Sequence, residues 1–517
     1  MSLTRPVPRV QLQPPAVLVP AQPQATYFRI LVALALVEIF CLWVCPLTSS
    51  LWVDELVTFW SACKGIVPAI ERSQFWPGQN APYSILIAAM IRIAGPSEVV
   101  VRLPSLVATV LTAWLMFRLG ERFIDREAGI LVLTVFASLH EIAKNAATNA
   151  RPYAIALLLV VTATSQLVKW LDTKRLRHMV GFILAAAAIP YFHLLFATTY
   201  LVFLAYGTYM YGTGKTRITS LCFPAAIVAA LVAPLIWTTL HSRHGLAQSS
   251  FAGSPDFKDL LTATIPPILA ATIFLGLIAS FAAWRSKVTE PVAIPPSAGF
   301  LAVTWLIIPL CSLFLVARFT PLKVFVPRYY LPSFAAVALI AGCGLRMIAT
   351  ARARMLTVIC VVFGSILSYS GYHLFLSPHR EDWRAAANLV RAANLPSKDP
   401  VLLRVGLLET KNLKWGTTID RDSPLLCPLS KYPIPGTVVL LPLHPDQESN
   451  HYMEDLSSHV LTSNDEFLLV SRGESESTLW LRGWLVGQGF ELSELGHSEG
   501  IPVFLGRRVR PWIETNH

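Results

Sequence analysis

Two adjacent carboxylates, Asp54 and Glu55, are the residues of this 517-residue chain best suited to acid–base chemistry. A positioned carboxylate can take a proton from a hydroxyl group and so act as a general base. On a helix, adjacent side chains project about 100° apart, so one carboxylate can face a cavity while the other braces it or faces solvent. The alternative is a plain acidic start to a surface helix, which suits the helix dipole. Composition alone favours this second interpretation, so the pair needs supporting residues.

Three arginines, Arg102, Arg151 and Arg328, are the supporting candidates, because each lies where an apolar segment begins. Guanidinium groups bind phosphate through paired hydrogen bonds, so several of them opposite a carboxylate pair would suit a substrate lipid that carries phosphate. Each arginine could instead extend its charge to the lipid headgroups. His193 lies at a helix junction in Tyr191-Phe-His-Leu194, where a lone histidine is more often structural than catalytic.

The composition places these residues in a membrane protein. Hydrophobic residues make up 54% of the chain, charged residues make up 14%, and the mean hydropathy is +0.54. A soluble protein of this length needs more charge to cover its surface. Residues 1–376 carry 28 Lys and Arg against 13 Asp and Glu, whereas residues 377–517 carry 14 against 18. The basic excess therefore lies in short loops between apolar segments, which argues against nucleic-acid binding.

About eleven apolar segments have the length or composition of membrane spans. They lie near residues 28–47, 103–119, 128–149, 152–170, 179–193, 195–211, 219–240, 260–283, 298–317, 330–349 and 355–376. Basic residues accumulate in alternate loops, and the positive-inside rule makes that side cytoplasmic. The larger loops on the opposite side, where we expect the function, are 48–102, 241–259 and the tail after 376.

The resulting organisation has three parts. Residues 1–26 are rich in Pro and Gln and are expected to form a disordered cytoplasmic tail. Residues 27–376 form the helical membrane domain, and within its first outer loop, 48–102, residues 81–94 are too short to span and are predicted to lie on the membrane surface. Residues 377–517 are predicted to form an extracytoplasmic α/β domain, with a helix at 381–394, strands near 400–406, 436–442 and 466–471, a helix near 477–488 and a final hairpin around residue 499.

In order and spacing, these features resemble the GT-C membrane glycosyltransferases of the protein O-mannosyltransferase and lipid A aminoarabinose transferase type. The resemblance covers roughly residues 28–350. It is carried by the acidic pair after the first span, the Pro-Tyr surface helix, and Gly95-Pro-Ser-Glu98 followed by Arg102-Leu-Pro-Ser105. It continues with Ala150-Arg-Pro-Tyr-Ala154, which contains Tyr153, then the His193 junction and Arg328-Tyr-Tyr330, which contains Tyr329.

The resemblance implies an inverting hexosyl- or pentosyltransferase in the bacterial inner membrane, with a polyprenyl-phosphate-linked sugar as donor. In that scheme Asp54 is the general base, and Glu55 orients the acceptor or braces cations. Arg151, Arg328 and Arg102 bind the donor phosphate, with His193, Tyr153 and Tyr329 as further site candidates. No cofactor is required, since cations can stabilise the leaving phosphate; a divalent metal ion is compatible with this scheme.

Other interpretations remain open at the level of sequence. The acceptor could be lipid A or another lipopolysaccharide, a polysaccharide or a protein hydroxyl. A transporter or flippase of lipid-linked sugar is the alternative from another class, but transporters usually place ionisable residues near the bilayer midplane on repeat-related helices. A sensor would need a cytoplasmic output domain, for which the sequence gives no candidate.

Overall fold

The computed structural model describes residues 22–75, 81–241, 253–284, 293–348, 350–371, 379–396, 399–416, 419–444, 446–473 and 476–509. Twenty α-helices and five strands are found in these ranges. Up to residue 371 the helices are α1 Gln22–Ile39, α2 Val53–Ala62, α3 Ile66–Ser73, α4 Ala81–Ala94, α5 Glu98–Phe123, α6 Arg126–Ser138, α7 His140–Ile142, α8 Tyr153–Thr173, α9 Leu176–Phe192, α10 Thr199–Gly212, α11 Ile218–His241, α12 Phe257–Thr264, α13 Pro267–Trp284, α14 Pro296–Phe319, α15 Leu331–Arg346 and α16 Ala351–Gly371.

The apolar helices of this region make the protein a multi-pass membrane protein. Within the described ranges, seven helices are long and apolar enough to cross a bilayer, and two bent pairs raise the number to nine. The helices α9 and α15 are apolar but shorter. They coincide with two of the eleven predicted spans, and their crossing of the membrane remains a prediction.

Two helix boundaries differ from the sequence-based expectation. The segment 128–149, expected to be one span, breaks at Leu139 into α6 and a second limb, His140–Ala147, bent by 63°. His140, Glu141 and Lys144 make this second limb polar, which is unfavourable inside lipid. The first described helix, α1, includes residues 22–26, which were expected to belong to the tail.

The C-terminal region folds as an α/β domain, as predicted. Its helices are α17 Trp383–Ala393, α18 Cys427–Lys431, α19 Gln447–His459 and α20 Glu476–Gly487, and its strands are β1 Pro400–Arg404, β2 Thr437–Leu440, β3 Glu466–Ser471, β4 Phe490–Glu494 and β5 Val503–Arg508. The strand order is β2-β1-β3-β5-β4. β1 pairs in parallel with β2 and β3, while β5 is antiparallel to β3 and β4.

Two of the apolar cores explain how the site is held. One lies inside the helical bundle and includes Trp43, Phe136 and Trp305. Another is shared by α2, α4 and the C-terminal domain, where Leu56 and Ile87 belong to the same cluster as buried residues of α17, β1 and β3. Burial of apolar area stabilises contacts roughly in proportion to the area buried. This shared core therefore holds the C-terminal domain against α2, the helix that carries Asp54.

Candidate active site

The helix that carries the acidic pair starts at an unusual N-cap, Trp52, whose side chain has no oxygen to accept from the first backbone N–H groups. Other residues supply these acceptors. The Glu55 carboxylate accepts from the Trp52 N–H at 3.3 Å, and Glu381 of the C-terminal domain accepts from the Val53 N–H at 2.9 Å. The Tyr432 hydroxyl accepts from the Leu51 N–H at 2.9 Å. The C-terminal domain therefore helps to fix the start of α2.

Glu55 and Arg102 form a fully buried ion pair. Arg102 Nε donates to Glu55 Oε1 at 2.8 Å, and Nη2 donates to Oε2 at 2.5 Å. Glu55 Oε1 also accepts from the Ala150 N–H at 2.7 Å. The remaining Arg102 donors bind the backbone oxygens of Pro46, Leu47, Ser49 and Ser50 and the Ser49 hydroxyl.

This arrangement gives Arg102 a different role from the predicted one. All five guanidinium N–H groups are engaged by protein acceptors, and the side chain is 0% exposed, so Arg102 has no donor directed at a lipid phosphate. Of the two predicted roles for Glu55, bracing a cation fits this geometry. The pair instead ties the segment before α2 to α5 and to the segment that precedes α8.

Asp54 faces the other way. Its side chain is 25% exposed, and its Oδ2 lies 3.5 Å from Arg328 Nη1. Arg151 Nη1 donates to the backbone oxygen of Asp54 at 3.2 Å and to the Thr58 hydroxyl at 3.3 Å. One accessible carboxylate thus lies beside two guanidinium groups that are themselves largely enclosed.

An aromatic cluster lies next to these cations. The His193 ring is 5.0 Å from Tyr153 and 5.3 Å from Tyr329 between centroids. The Arg328 guanidinium lies 5.4 Å from the Tyr329 ring, and that of Arg151 lies 5.9 Å from Tyr153. Such cation–π contacts hold guanidinium groups in place without neutralising them.

The protonation states in this cluster follow from burial. Burial, reinforced by the positive charges of Arg151 and Arg328, lowers the pKa of His193 to about 3, so the ring is neutral at pH 7. Its buried Nδ1 has no hydrogen-bond partner within the described residues. Burial also raises the pKa of Tyr329 to about 12, which keeps its hydroxyl protonated.

The structure therefore brings six of the eight predicted residues together and separates two. The six are Asp54, Arg151, Arg328, His193, Tyr153 and Tyr329. Glu55 and Arg102 form the buried pair behind them.

Sequence reasoning missed three residues that shape this site. Glu381 accepts from the start of α2, and the His379 ring stacks on Trp52 with a centroid distance of 4.2 Å. Lys144, on the bent limb after α6, interacts electrostatically with Glu381 and Arg328. Three ionisable residues inside an expected span were a signal for the bent limb; nothing in the sequence linked residues 379–381 to α2.

A metal site is not evident in the geometry. Within the described ranges, no three His, Cys, Asp or Glu side chains lie close enough together to bind a metal ion. The arginines around Asp54 make the site cationic, which suits an anionic ligand.

Comparisons with known proteins bear on the fold. No protein-family model and no curated protein matches the chain in sequence. The crystal structure of ArnT from Cupriavidus metallidurans bound to undecaprenyl phosphate aligns with a TM-score of 0.52 and 12% identity, over 93% of this chain and 98% of that one. Its apo structure gives the same TM-score and identity over 94% and 98%. A mycobacterial arabinofuranosyltransferase, AftD, aligns at 0.47 and 14% over 92% of this chain and 41% of its own.

At this level of identity, the ArnT alignment establishes the architecture. The chain has the GT-C fold: a bundle of membrane helices with a C-terminal α/β domain at one end. The fold class expected from the sequence is confirmed.

Proposed function

We propose that the protein is an inverting glycosyltransferase that moves a sugar from a polyprenyl-phosphate carrier to an envelope acceptor, at the outer face of a bacterial inner membrane. The observation that carries this proposal is the partly exposed Asp54 carboxylate beside the enclosed cations Arg328 and Arg151. A base next to two cations matches the needs of a reaction that deprotonates a hydroxyl and releases a phosphate.

The reaction that fits these groups is a single displacement. The acceptor oxygen attacks the anomeric carbon and gives its proton to an Asp54 oxygen. The bond between the anomeric carbon and the phosphate oxygen breaks, and its electron pair stays on the polyprenyl phosphate. Arg328 and Arg151 stabilise the charge on that leaving group. One displacement inverts the anomeric configuration.

The loose ion pair between Arg328 and Asp54 supports a role for Arg328 in binding the phosphate. The guanidinium is 3.5 Å from the Asp54 carboxylate, a looser contact than the 2.5 Å Glu55–Arg102 bond. A loose pair at a partly exposed position can exchange its partner for a phosphate at a smaller cost than a buried, fully bonded pair. Donor binding would then turn the Arg328 charge toward the phosphate and leave the Asp54 oxygen available to the acceptor.

The donor class and the orientation rest on two further observations. The ArnT structure that shares this fold is one bound to undecaprenyl phosphate. The basic excess of residues 1–376 supports an orientation with the loops opposite the acidic C-terminal domain in the cytoplasm, and with that domain and Asp54 outside. An acceptor in the envelope, whether lipopolysaccharide, polysaccharide or protein, would reach Asp54 from this side.

Asp54→Asn tests the proposal. The variant keeps the size of the side chain but removes the base, so we expect loss of transfer with normal insertion in the membrane. A strain that lacks the gene would be complemented with wild type, Asp54→Asn or Asp172→Asn, and its envelope lipids and glycans compared by mass spectrometry. Asp172 is a matched control, since its ion pair with Arg122 lies at a different place on the bundle.

We expect one sugar increment to be missing in the deletion strain, restored by wild type and Asp172→Asn, and still missing with Asp54→Asn. Restoration by Asp54→Asn at wild-type level would remove Asp54 from the role of base. An unchanged set of envelope lipids and glycans in the deletion strain would count against glycosyl transfer itself.

A further inference from the structure

A cavity of about 390 Å³ lies in the C-terminal domain, and its lining does not include Asp54 or the cations beside it. It is lined by residues that follow β1 and β3, among them Gly406 and Gly473. The strand order β2-β1-β3 makes this the crevice beyond the carboxyl ends of neighbouring parallel strands, where α/β sheets commonly bind ligands. Both glycines have positive φ, 75° and 78°, a backbone conformation at the edge of the cavity that favours glycine.

Arg404, at the end of β1, is the residue that gives this cavity its character. It is only 4% exposed, and within the described residues its charge has no ion-pair partner. Nη1 and Nη2 donate to the backbone oxygens of Arg472 and Leu443 at 2.7 and 3.0 Å, while Nε is buried without an acceptor in the described structure. A buried cation without a counter-charge is costly, and an anion in the cavity would offset that cost.

The other charged residues of the cavity add to the positive charge. Arg380 and Arg472 line it together with Arg404, against a single lining carboxylate, Glu381. That carboxylate is already engaged by Arg472 Nε at 2.8 Å and by the Val53 N–H at 2.9 Å. Burial and the nearby Arg472 lower the pKa of Arg404 to about 10, which still leaves it charged at pH 7. The cavity therefore holds an excess of cations.

The cavity is also next to the proposed reaction site. Glu381 and His379, both part of its lining, contact the two residues that precede Asp54: Glu381 accepts from the Val53 N–H, and His379 stacks on Trp52. The centroid of the Trp52 ring also lies 5.7 Å from the guanidinium of Arg328, the cation paired with Asp54. A molecule held in the cavity would thus contact Glu381 and His379, the residues that pack against the start of the helix carrying Asp54.

We propose that this cavity binds an oxyanion of the acceptor, a phosphate or a carboxylate, through Arg404, Arg380 and Arg472, and so orients the acceptor hydroxyl toward Asp54. The anion is not the reacting group; it is a handle at a distance from it. Guanidinium groups suit both kinds of oxyanion because their N–H groups are arranged as a planar fork. The acceptor role rests on the proposed transferase function, whereas binding of an oxyanion at this place does not.

Binding is tested with the full-length protein in detergent by isothermal titration calorimetry. The probes are inorganic phosphate, glucose 1-phosphate and glucuronate, with chloride at matched ionic strength as the reference. We expect saturable binding of at least one oxyanion, and the stronger of the sugar probes tells phosphate from carboxylate. Arg404→Gln should weaken this binding at least tenfold, whereas Arg507→Gln should leave it unchanged, because Arg507 pairs with Glu466 at an exposed position.

Two more variants separate this cavity from the donor site and from a folding defect. Arg328→Gln should retain the binding, since Arg328 does not line the cavity. Arg380→Gln, at an exposed position, should weaken binding several-fold while the unfolding midpoint of the free protein stays at the wild-type value. The inference is overturned if no oxyanion binds better than chloride, if Arg404→Gln and Arg380→Gln bind like wild type, or if Arg328→Gln alone loses binding.

The acceptor role has its own readout. In membranes that make the product, the bound oxyanion should inhibit transfer, and Arg380→Gln should reduce that inhibition along with product yield. Binding without inhibition would overturn the acceptor role, while the oxyanion-binding site itself would still stand. Asp54→Asn should still bind the oxyanion, so failure of the transferase proposal and failure of this inference give different results.

Discussion

Asp54 and Glu55 are neighbours in sequence but have opposite surroundings. Glu55 is fully buried and receives two Arg102 donors and the Ala150 N–H, whereas Asp54 is partly exposed beside Arg328. A carboxylate saturated by fixed donors cannot approach a substrate proton without breaking them, so only Asp54 is placed to act as a base. That Asp54 reacts while Glu55 braces a cation stays a prediction, consistent with these surroundings.

Glu55→Gln is predicted to destabilise the protein. The substitution keeps the shape but leaves Arg102 buried with no carboxylate, and breaking a buried pair typically costs about 3–5 kcal/mol. Thermal unfolding in detergent should show a clearly lower midpoint for this variant, while Asp54→Asn stays close to wild type. Equal midpoints for the two variants would mean that the Glu55–Arg102 pair does not contribute to stability.

Arg328→Ala is predicted to impair use of the donor more than folding. A charged hydrogen bond to phosphate is worth about 1.5–3 kcal/mol, so KM for the polyprenyl-phosphate sugar should rise at least about tenfold. Arg318→Ala is the matched control, because Arg318 is an exposed cation in the last turn of α14, which precedes Arg328 in the chain. Unchanged donor kinetics in Arg328→Ala would contradict its role as a phosphate ligand.

At the scale of elements, the sequence predicted local features well and long-range ones poorly. The helix α4 covers Ala81–Ala94, the segment predicted to be helical, because its apolar run has Pro82 in the first turn and ends before Gly95. The strands β1 and β3 were likewise marked by apolar runs. The helix α19 was missed, since Gln447–His459 is largely polar and has no strong apolar periodicity.

In the candidate site, too, local sequence patterns were predictable and long-range contacts were not. The motifs around Arg151 and Arg328 predicted two cations that lie beside Asp54, since each arginine precedes a helical segment. The partner of Arg102 could not be predicted, because Glu55 and Arg102 are 47 positions apart in the sequence and only the tertiary fold brings them together. The contact of Glu381 with Val53 spans 328 residues and depends on how the C-terminal domain docks.

The start of α2 gives a prediction at this scale. Tyr432→Phe removes the hydroxyl that accepts from the Leu51 N–H and donates to Glu98 at 3.0 Å. An unsatisfied buried N–H costs about 1–3 kcal/mol, so hydrogen exchange at residues 51–56 should be faster and transfer slower. Tyr452→Phe is the matched control, because the Tyr452 hydroxyl binds the Leu440 oxygen inside the C-terminal domain. Identical exchange in both variants would show that Tyr432 does not hold α2.

At the scale of the whole molecule, the C-terminal domain contacts the helices that form the candidate site. It shares an apolar core with α2 and α4, supplies acceptors to the start of α2, and binds α3 through Asp422. Since α2 positions Asp54, weaker packing of the C-terminal domain against α2 should also change the position of the proposed base. The contacts between this domain and the helices α2 and α3 can therefore be tested by mutation.

Asp422 makes that coupling dependent on pH. Burial is the largest single influence on Asp422 and raises its pKa, but the hydrogen bonds and charges of Lys64 and Arg72, both at 2.5 Å, together outweigh it and hold the pKa below the ordinary value of 3.8. A lowered pKa stabilises the docked state above 3.8, and this contribution is lost as the pH falls through the folded-state pKa. Hydrogen exchange in α3, corrected for its intrinsic pH dependence, should therefore be slower in wild type than in Asp422→Asn near neutral pH. The difference should vanish in acid, whereas Asp172→Asn should match wild type throughout. A difference between wild type and Asp422→Asn that persists unchanged in acid would mean that the ion pairs of Asp422 do not hold the two parts together.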